Sequence, residues 1–529
     1  MKHDTDTLES EPKRIKGDLD SSRIAGLKAR LEKALQEGLD STSQSTARIN
    51  VLFSIPCCGR CILRFLGIRD YGVYELSSEE IKGCLTHFTT TTSPDCIATA
   101  SETDLDLVCI ACVGTVQHAE DFVDAIVAHV KKESYTTKTF NMNVTLPTST
   151  LVRNHAIRIY WHQHLSSYPT DQVDIKEIFK LLISWPLEQQ TGLTLDFSSE
   201  LRLQVSIKHE ETKNDHMFLS TMEDSGLVIK SKRENRKTIT VGDGRQNIVK
   251  ALTCVSDQRF AEIGKVPPAT VATRAVLKSI EMMRESVYLG GRYLKYSRDV
   301  SQTPWAVGNT VLAELSVSGI VCKDLKESFR ADDFKFVTAG REDANVRMLG
   351  NGRPFYVELI NPRTSSLSYE ALKQLEAKIN SSMPDKVQIR NLVAITLEDT
   401  KIIKDGEESK TKCYSAFCWT SNPVDQAMID AVNEFTNKSF YVEQQTPIRV
   451  LQRHMIRKKQ IHSLKAFKLE GHFMVLHLHT EAGTYIKEFV HGDLGRNQPS
   501  LASIIGCEAD IMELDVLEVD LEFPPSCLK

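Results

Sequence analysis

The feature that most constrains this chain is a polar loop set between two apolar runs. Phe334-Lys335-Phe336-Val337 leads into Gly340-Arg341-Glu342-Asp343-Ala344-Asn345-Val346-Arg347. Gly350-Asn351-Gly352-Arg353-Pro354 then gives way to Phe355-Tyr356-Val357-Glu358-Leu359-Ile360. Short runs rich in Phe, Val and Ile on either side of a glycine-punctuated stretch read as strand, loop, strand. A rigid sheet commonly presents ligand-contacting side chains on such a loop. In sequence, Arg341, Arg347 and Arg353 surround the small carboxylate of Asp343, and nearby positive charge favours its ionised form. An ionised, oriented Asp serves as nucleophile or base, and arginines bind phosphates through their forked donors. Taken alone, the same residues would equally make a solvated β-turn.

A chain of 529 residues is too long for one ordinary core, so roughly two to four domains are expected. Hydrophobic residues at 41% and charged residues at 26% describe a globular protein. The net charge of −5 excludes general polycation behaviour, so RNA binding would need local basic patches. No apolar run reaches the ~18 residues of a membrane helix. The polar start, Met1-Lys2-His3-Asp4-Thr5-Asp6, lacks a secretory apolar region. Thirteen cysteines, an odd number, argue for thiols and metal ligands over disulfides, and so for a reducing compartment, cytoplasm or nucleus.

Cys58 with Cys61 and Cys109 with Cys112 form two C-x-x-C pairs. Each spacing lets one tight turn aim two thiolates at a tetrahedral Zn²⁺, and four thiolates would fill its shell, making the ion structural. Cys57, Cys84 and Cys96 are rival ligands, the last two in the long insertion between the pairs. No thioredoxin-like βαβ pattern surrounds either pair, which disfavours a redox role.

Residues 1–46 read as a flexible arm, with a possible helix over Arg23 to Glu37. Pro12-Lys13-Arg14-Ile15-Lys16 is either a nuclear address or a solvated basic cluster. Residues 47–270 read as a zinc-bearing α/β accessory domain. Its helices are expected over Ala119 to Lys132, Ser149 to His164 and Asp174 to Leu187, and its strands over Thr139 to Leu146 and Leu201 to Ile207. Gly242-Asp243-Gly244-Arg245-Gln246-Asn247 imitates a dinucleotide loop, but Asn247 stands where a small residue must pack, so a turn and helix cap is expected. Lys265-Val266-Pro267-Pro268-Ala269 reads as the linker to a domain over 278–529. There, Gly290-Gly291 marks a bulge or a close backbone approach.

The longer loop pattern, Gly-Arg-Glu-Asp-x-x-Val-Arg-x-Leu-Gly-x-Gly-Arg-Pro-Phe over 340–355, resembles the catalytic loop of the Pus-ten family of tRNA pseudouridine synthases. The run from Lys295 to Trp305 is similar to that family's opening motif. Lys412-Cys413-Tyr414-Ser415-Ala416 resembles its K-x-Y-x-A strand. Gly483-Thr484-Tyr485-Ile486-Lys487 is similar to the Gly-Thr-Tyr-Ile-Arg motif of TruB-type enzymes. Three motifs in the expected order are much harder to obtain by chance than any one. The chain departs from the family pattern at Asn345, where an Asp usually stands; Asn keeps the size and hydrogen bonding but drops the charge.

The resemblance implies an α+β architecture: a catalytic domain with a central mixed, mainly antiparallel sheet, preceded by a THUMP-like α/β module. It implies Asp343 as the catalytic aspartate, Tyr414 against the target base, Lys487 as the cation paired with Asp343, and Ile486 beneath the base. Lys295 and Arg298 become candidate phosphate contacts beside Arg341, Arg347 and Arg353. The implied substrate is tRNA, at T-arm uridines 54 and 55, with no organic cofactor. Arg449 and Arg453, in a stretch poor in acids that runs into Arg457-Lys458-Lys459, read as an RNA grip or as a solvated charged face. A monomer without an obligatory protein partner is expected. The rival expectation is an RNA-binding protein that keeps the fold without turnover, for which Asn345 is the only hint.

Overall fold

The computed structural model describes residues 21–38, 43–92, 107–169, 171–234, 237–307, 310–446 and 455–525. The chain forms two compact units, Met1–Glu133 with Thr137–Met283, and Ser134–Thr136 with Arg284–Lys529.

In the first unit the expected arm is shorter than its polar composition implies. Ser21–Gly38 and Ser43–Phe53 are helices. Leu31 and Leu35, one turn apart, are fully buried, while Arg23 pairs with Glu75 at 2.6 Å. A single apolar stripe is enough to dock a polar helix, which composition averages away. Among the described residues, six strands follow in this unit: β1 (Thr139–Thr145), β2 (Thr194–Leu195), β3 (Leu201–Lys208), β4 (Lys230–Glu234), β5 (Lys237–Val241) and β6 (Val276–Arg284). Four make a sheet in the order β2-β1-β3-β6, with β1 parallel to both β2 and β3. Alternation sets its buried face, through Phe140, Met142 and Val144 on β1 and Leu201, Leu203, Val205 and Ile207 on β3.

The helices fall where periodicity puts them, at Val123–Glu133, Ser149–Leu165 and Ile175–Thr191. Asp174 caps the last, its carboxylate accepting from the Lys176 N–H at 2.6 Å. The dinucleotide-like stretch is a turn. A Cβ at Gly242 would lie 2.1 Å from the Val228 carbonyl oxygen, and the Asn247 amide donates to the Gly242 carbonyl at 3.0 Å. The boundary expected near residue 270 moves to Met283, because β6 re-enters the first sheet. A Pro-rich stretch reports a local turn, whereas strand pairing is long-range.

The second unit holds β7 (Val287–Lys295), β8 (Trp305–Val307), β9 (Thr310–Ala313), β10 (Asp333–Thr338), β11 (Val346–Ile360) and β12 (Val387–Ile395). Then come β13 (Lys412–Thr420), β14 (Phe440–Gln445), β15 (Ile456–Lys468), β16 (Phe473–Thr480), β17 (Asn497–Gln498) and β18 (Ala509–Val519). Ten of these join one sheet in the order β12-β7-β11-β18-β13-β16-β15-β14-β17, with β10 on β11. Among the described residues every pairing of this sheet is antiparallel except β11 with β18. The sheet is therefore mixed and mainly antiparallel. Gly290 and Gly291 combine both expectations: the register of β12 on β7 shifts between Arg390 and Val393, opposite Gly291, and a Cβ at either glycine would meet the Phe523 or Phe355 ring at 3.0 or 3.1 Å. Helices Val317–Phe329, Tyr369–Ser382, Gln426–Asn433 and Ile486–His491 contribute to the same core.

Candidate active site

Residues 339–345 connect β10 to β11, whose register runs from Thr338 opposite Phe355 to Asp333 opposite Ile360. Side chains along this loop split by direction: Glu342 is buried, while Arg341 and Asp343 on either side are exposed. Beneath it lies a polar floor. Arg353 Nε donates to Glu342 Oε2 at 2.7 Å, and its Nη1 to the Ala339 carbonyl at 2.8 Å. The Tyr293 hydroxyl reaches Glu342 Oε1 at 2.7 Å. The Gln302 amide donates to Tyr293 Oη at 2.7 Å and to the Gly340 carbonyl at 3.0 Å. Burial works against the Arg353 charge, but the Glu342 carboxylate outweighs it and holds the guanidinium pKa above its usual value. Burial and the same carboxylate push the Tyr293 hydroxyl well up. Gly340 has φ +92°, and a Cβ there would lie 2.9 Å from Lys412 Nζ and 3.0 Å from Arg353 Nη1, so the loop needs glycine at this point.

From the other end of the domain, helix Ile486–His491 delivers Lys487. Its Nζ stands 2.9 Å from Asp343 Oδ2 and 3.4 Å from Asn345 Oδ1. The Lys487 side chain is 24% exposed and that of Asp343 49%, so the pair is fixed yet open to a ligand. Tyr414 lies half-buried on β13, packed against the core. Burial pushes its hydroxyl up to about 12, and Arg353 and Glu342 are its charged neighbours. The tyrosine thus lies in the field of the same buried pair that supports the loop.

Several candidates do other work. Lys295, expected on phosphate, is fully buried and donates to the Ala344 carbonyl at 2.6 Å and the Asp343 carbonyl at 3.4 Å. Burial brings its pKa down to about 8. Arg298 is committed to the Asn345 and Leu514 carbonyls at 2.9 and 3.0 Å and to Asp515 at 2.8 Å. Arg347 grips Asp515 through Nε at 2.8 Å and Nη2 at 2.5 Å. Burial opposes the Asp515 charge, but the hydrogen bond from Arg347 and the charges of both arginines hold its pKa below the usual range. Arg353 belongs to the floor, and Ile486 is in the core at 4% exposure. Neighbours in sequence were expected to gather on Asp343, but the register shift on β11 between Met348 and Arg353 separates Arg347 from Arg353, and each meets a different acid. Among the described residues, Arg341 alone of the loop's arginines has no hydrogen-bond or ion-pair partner and is exposed. Arg449 and Arg453 lie outside the described residues; just beyond them, Arg457 and Lys458 are exposed on β15, and Lys458 Nζ sits 4.6 Å from the Tyr441 ring centre.

Sequence reading missed Glu342, Tyr293, Gln302 and Asp515, all acting as supports. The available signal was alternation: a Glu flanked by exposed loop residues must turn inward, and an inward acid needs a buried partner.

In the first unit, Cys58, Cys61, Cys109 and Cys112 are all buried, and their sulfurs lie within 4.8 Å of one another. Cys58 Sγ is 3.9 Å from Cys112 Sγ. A tetrahedron of ~2.3 Å metal–sulfur bonds has sulfurs about 3.8 Å apart, so the group fits one ion. Cys58 begins helix Gly59–Phe65 and Cys61 sits in its first turn, while Cys109 N–H donates to Gln117 Oε1 at 2.8 Å. Cys57 and Cys84 are buried outside this quartet, and Cys96 lies outside the described residues.

Two family profiles match the chain: "Pus10, C-terminal" over residues 288–520 and "Eukaryotic Pus10, N-terminal" over 109–282. The tRNA pseudouridine synthase Pus10 of Mus musculus is 33% identical over 92% of this chain and 99% of its own length. The chain belongs to the Pus10 family. The Homo sapiens member is 32% identical over the same shares, and that of Methanopyrus kandleri 37% over 44% of this chain and 56% of its own. Among solved structures, a Cbf5-Nop10-Gar1 complex is similar at 16% identity and a TM-score of 0.25, covering 43% of this chain and 48% of that one. A pseudouridylate synthase is similar at 11% identity and a TM-score of 0.20, covering 50% and 79%. No helix of the described residues is long and apolar enough to cross a membrane.

Proposed function

We propose that this Pus10 family member isomerises uridine to pseudouridine in tRNA, at the T-arm uridines 54 and 55, with Asp343 as the acting group. The observation that carries the reading is the 2.9 Å pairing of Asp343 with Lys487, residues 144 apart in sequence, on the open side of a loop whose underside is locked. The reaction breaks the glycosidic bond, turns the uracil and rejoins it through carbon. Nothing is oxidised and no group leaves, so the chemistry calls for no organic cofactor. The uridine must leave its stack to reach the carboxylate. Lys487 pairs with the Asp343 carboxylate at 2.9 Å and aims it, as nucleophile or as base. Tyr414 offers a ring face to the base with its hydroxyl kept protonated. Arg341 is the loop cation available to a phosphate, and the exposed Arg457 and Lys458, with Arg449 and Arg453, extend that contact along the RNA.

The cysteine quartet would hold Zn²⁺ as a structural ion, since four sulfur ligands leave no open position. The first unit serves as a THUMP-like RNA-docking module, a role consistent with its α/β sheet and with T-arm recognition by shape.

The test is to incubate the purified chain with unmodified tRNA transcript and map pseudouridine by carbodiimide-dependent primer extension, beside Asp343→Ala. New T-arm pseudouridine, absent with the variant, is the expected result. No product despite tight tRNA binding, or full activity in Asp343→Ala, would overturn the reading.

A further inference from the structure

Strand β14 carries an anomaly. Its inward positions are Val442 and Gln444, both fully buried, so a glutamine occupies a place that alternation reserves for an apolar side chain. A buried amide is costly unless both its donor and its acceptor are paired. Gln444 satisfies this through one residue. The Tyr485 N–H donates to Gln444 Oε1 at 2.9 Å, and Gln444 Nε2 donates to the Tyr485 carbonyl at 2.9 Å. The pairing is the one a neighbouring strand would offer, made instead by a side chain.

Tyr485 is the residue before helix Ile486–His491, and its carbonyl also accepts the helix's first hydrogen bond, from the Phe489 N–H at 3.0 Å. The helix is six residues long and its N-cap side chain makes no capping bond. So short a helix has little cooperative stability of its own. Its buried Ile486, Phe489 and Val490 anchor it to the core, and the backbone at its start is held by the amide of Gln444, reaching across from another strand. Two residues further on stands Lys487, with Nζ 2.9 Å from Asp343. Releasing Tyr485 would let the turn rotate, and small angular errors at a helix start carry a long lysine side chain out of ion-pair range.

We propose that Gln444 is a positioning residue for the isomerase reaction: its amide clamps the backbone of Tyr485 and thereby sets where the Lys487 ammonium meets Asp343. The inference rests on the functional reading above for what Lys487 does, but the clamp itself is tested separately. Gln444→Met keeps length and shape while removing both hydrogen bonds. Val442→Ala is the control, a buried position on the same strand face that opens a cavity and whose side chain makes no hydrogen bond to Tyr485. Single-turnover and steady-state pseudouridine formation on tRNA transcript would be measured with hydrogen–deuterium exchange over residues 485–491.

Gln444→Met is expected to lower kcat at least tenfold with KM within twofold, and to speed exchange in that segment while the rest of β14–β16 keeps its protection. Val442→Ala is expected to lower the melting temperature with kcat within twofold at a permissive temperature. If Gln444→Met unfolds, Gln444→Glu, which keeps the acceptor for the Tyr485 N–H, carries the same expectation at reduced size. Unchanged exchange over 485–491, a kcat within twofold of wild type, or an equal kcat loss in Val442→Ala would overturn the proposal. A wild-type chain that makes no pseudouridine would instead overturn the isomerase reading, and the exchange result would still decide the clamp.

Discussion

The four cysteines of the first unit are each at most 2% exposed, whereas the Asp343 side chain of the second keeps 49% of its surface open. Both groups gather residues distant in sequence. The cysteine group converges inward on one another and leaves no open position. The aspartate loop divides: Glu342 turns in to Arg353 at 2.7 Å, and Asp343 turns out to Lys487 at 2.9 Å. A closed site stabilises the fold and has no room for substrate. A divided one separates support from chemistry, so its inner half can be rigid while its outer half meets a ligand.

That contrast implies that stability and turnover can be lost independently. The largest expected effect is in the closed site. Cys109→Ser should abolish metal retention, read as zinc per chain by mass spectrometry, and cost the first unit on the order of 10 kcal/mol of metal-linked stability. Retention of one zinc per chain with unchanged melting would break the comparison. Asp343→Ala comes next, with a rate loss of about 10⁴-fold, or ~5.5 kcal/mol of transition-state stabilisation. Its melting temperature should stay within a degree or two of wild type.

Between these extremes lies the floor of the loop. Arg353→Met leaves the Glu342 carboxylate buried beside Tyr293 without its cation. It should destabilise the second unit by roughly 3–5 kcal/mol while also slowing the reaction. If it slowed the reaction with no change in melting, the division between support and chemistry would be wrong at that residue. Arg341→Ala, on the outer side, should weaken tRNA binding modestly and reduce the salt dependence of affinity by about one ion, leaving melting untouched.

The smallest effect is a pH slope. Lys295 has its pKa brought down to about 8 by burial, below the ~10.4 of an unfolded lysine. Between those values the unfolded chain binds the extra proton, so stability should rise with pH there and fall again as pH drops through about 8. Comparing melting of wild type and Lys295→Met from pH 7 to 10 isolates this slope from the other titrating groups. An equal slope in both chains would mean that burial does not lower the Lys295 pKa in the folded chain.

Much of this was legible before any coordinates. Alternation over 139–146 and 201–207 and helical periodicity over 149–164 and 174–187 matched the elements found to within a few residues, because each depends on local burial repeated at a fixed period. The Cys-x-x-Cys spacings and the Asp343 loop were visible as motifs for the same local reason. The helix expected over Arg23 to Glu37 is present as Ser21–Gly38, but its docking was not legible and it was read as part of an arm, while the strand over 276–284 was read as the start of a new domain, since their partners lie far away in sequence.

By itself, then, the sequence determined the family, the order of the motifs and which side chains could do chemistry. Only the tertiary structure decided which of them meet. It sent Arg347 and Arg298 to Asp515, Arg353 to Glu342, and Lys295 under the loop, and it left Lys487 for Asp343. The physical reason is that a residue's type and its local period fix the direction it faces, while its partner is chosen by strand register and helix docking across the whole sheet. Gln444 shows the limit most clearly: nothing near it in sequence explains a buried amide, and Tyr485, which does, is 41 residues away.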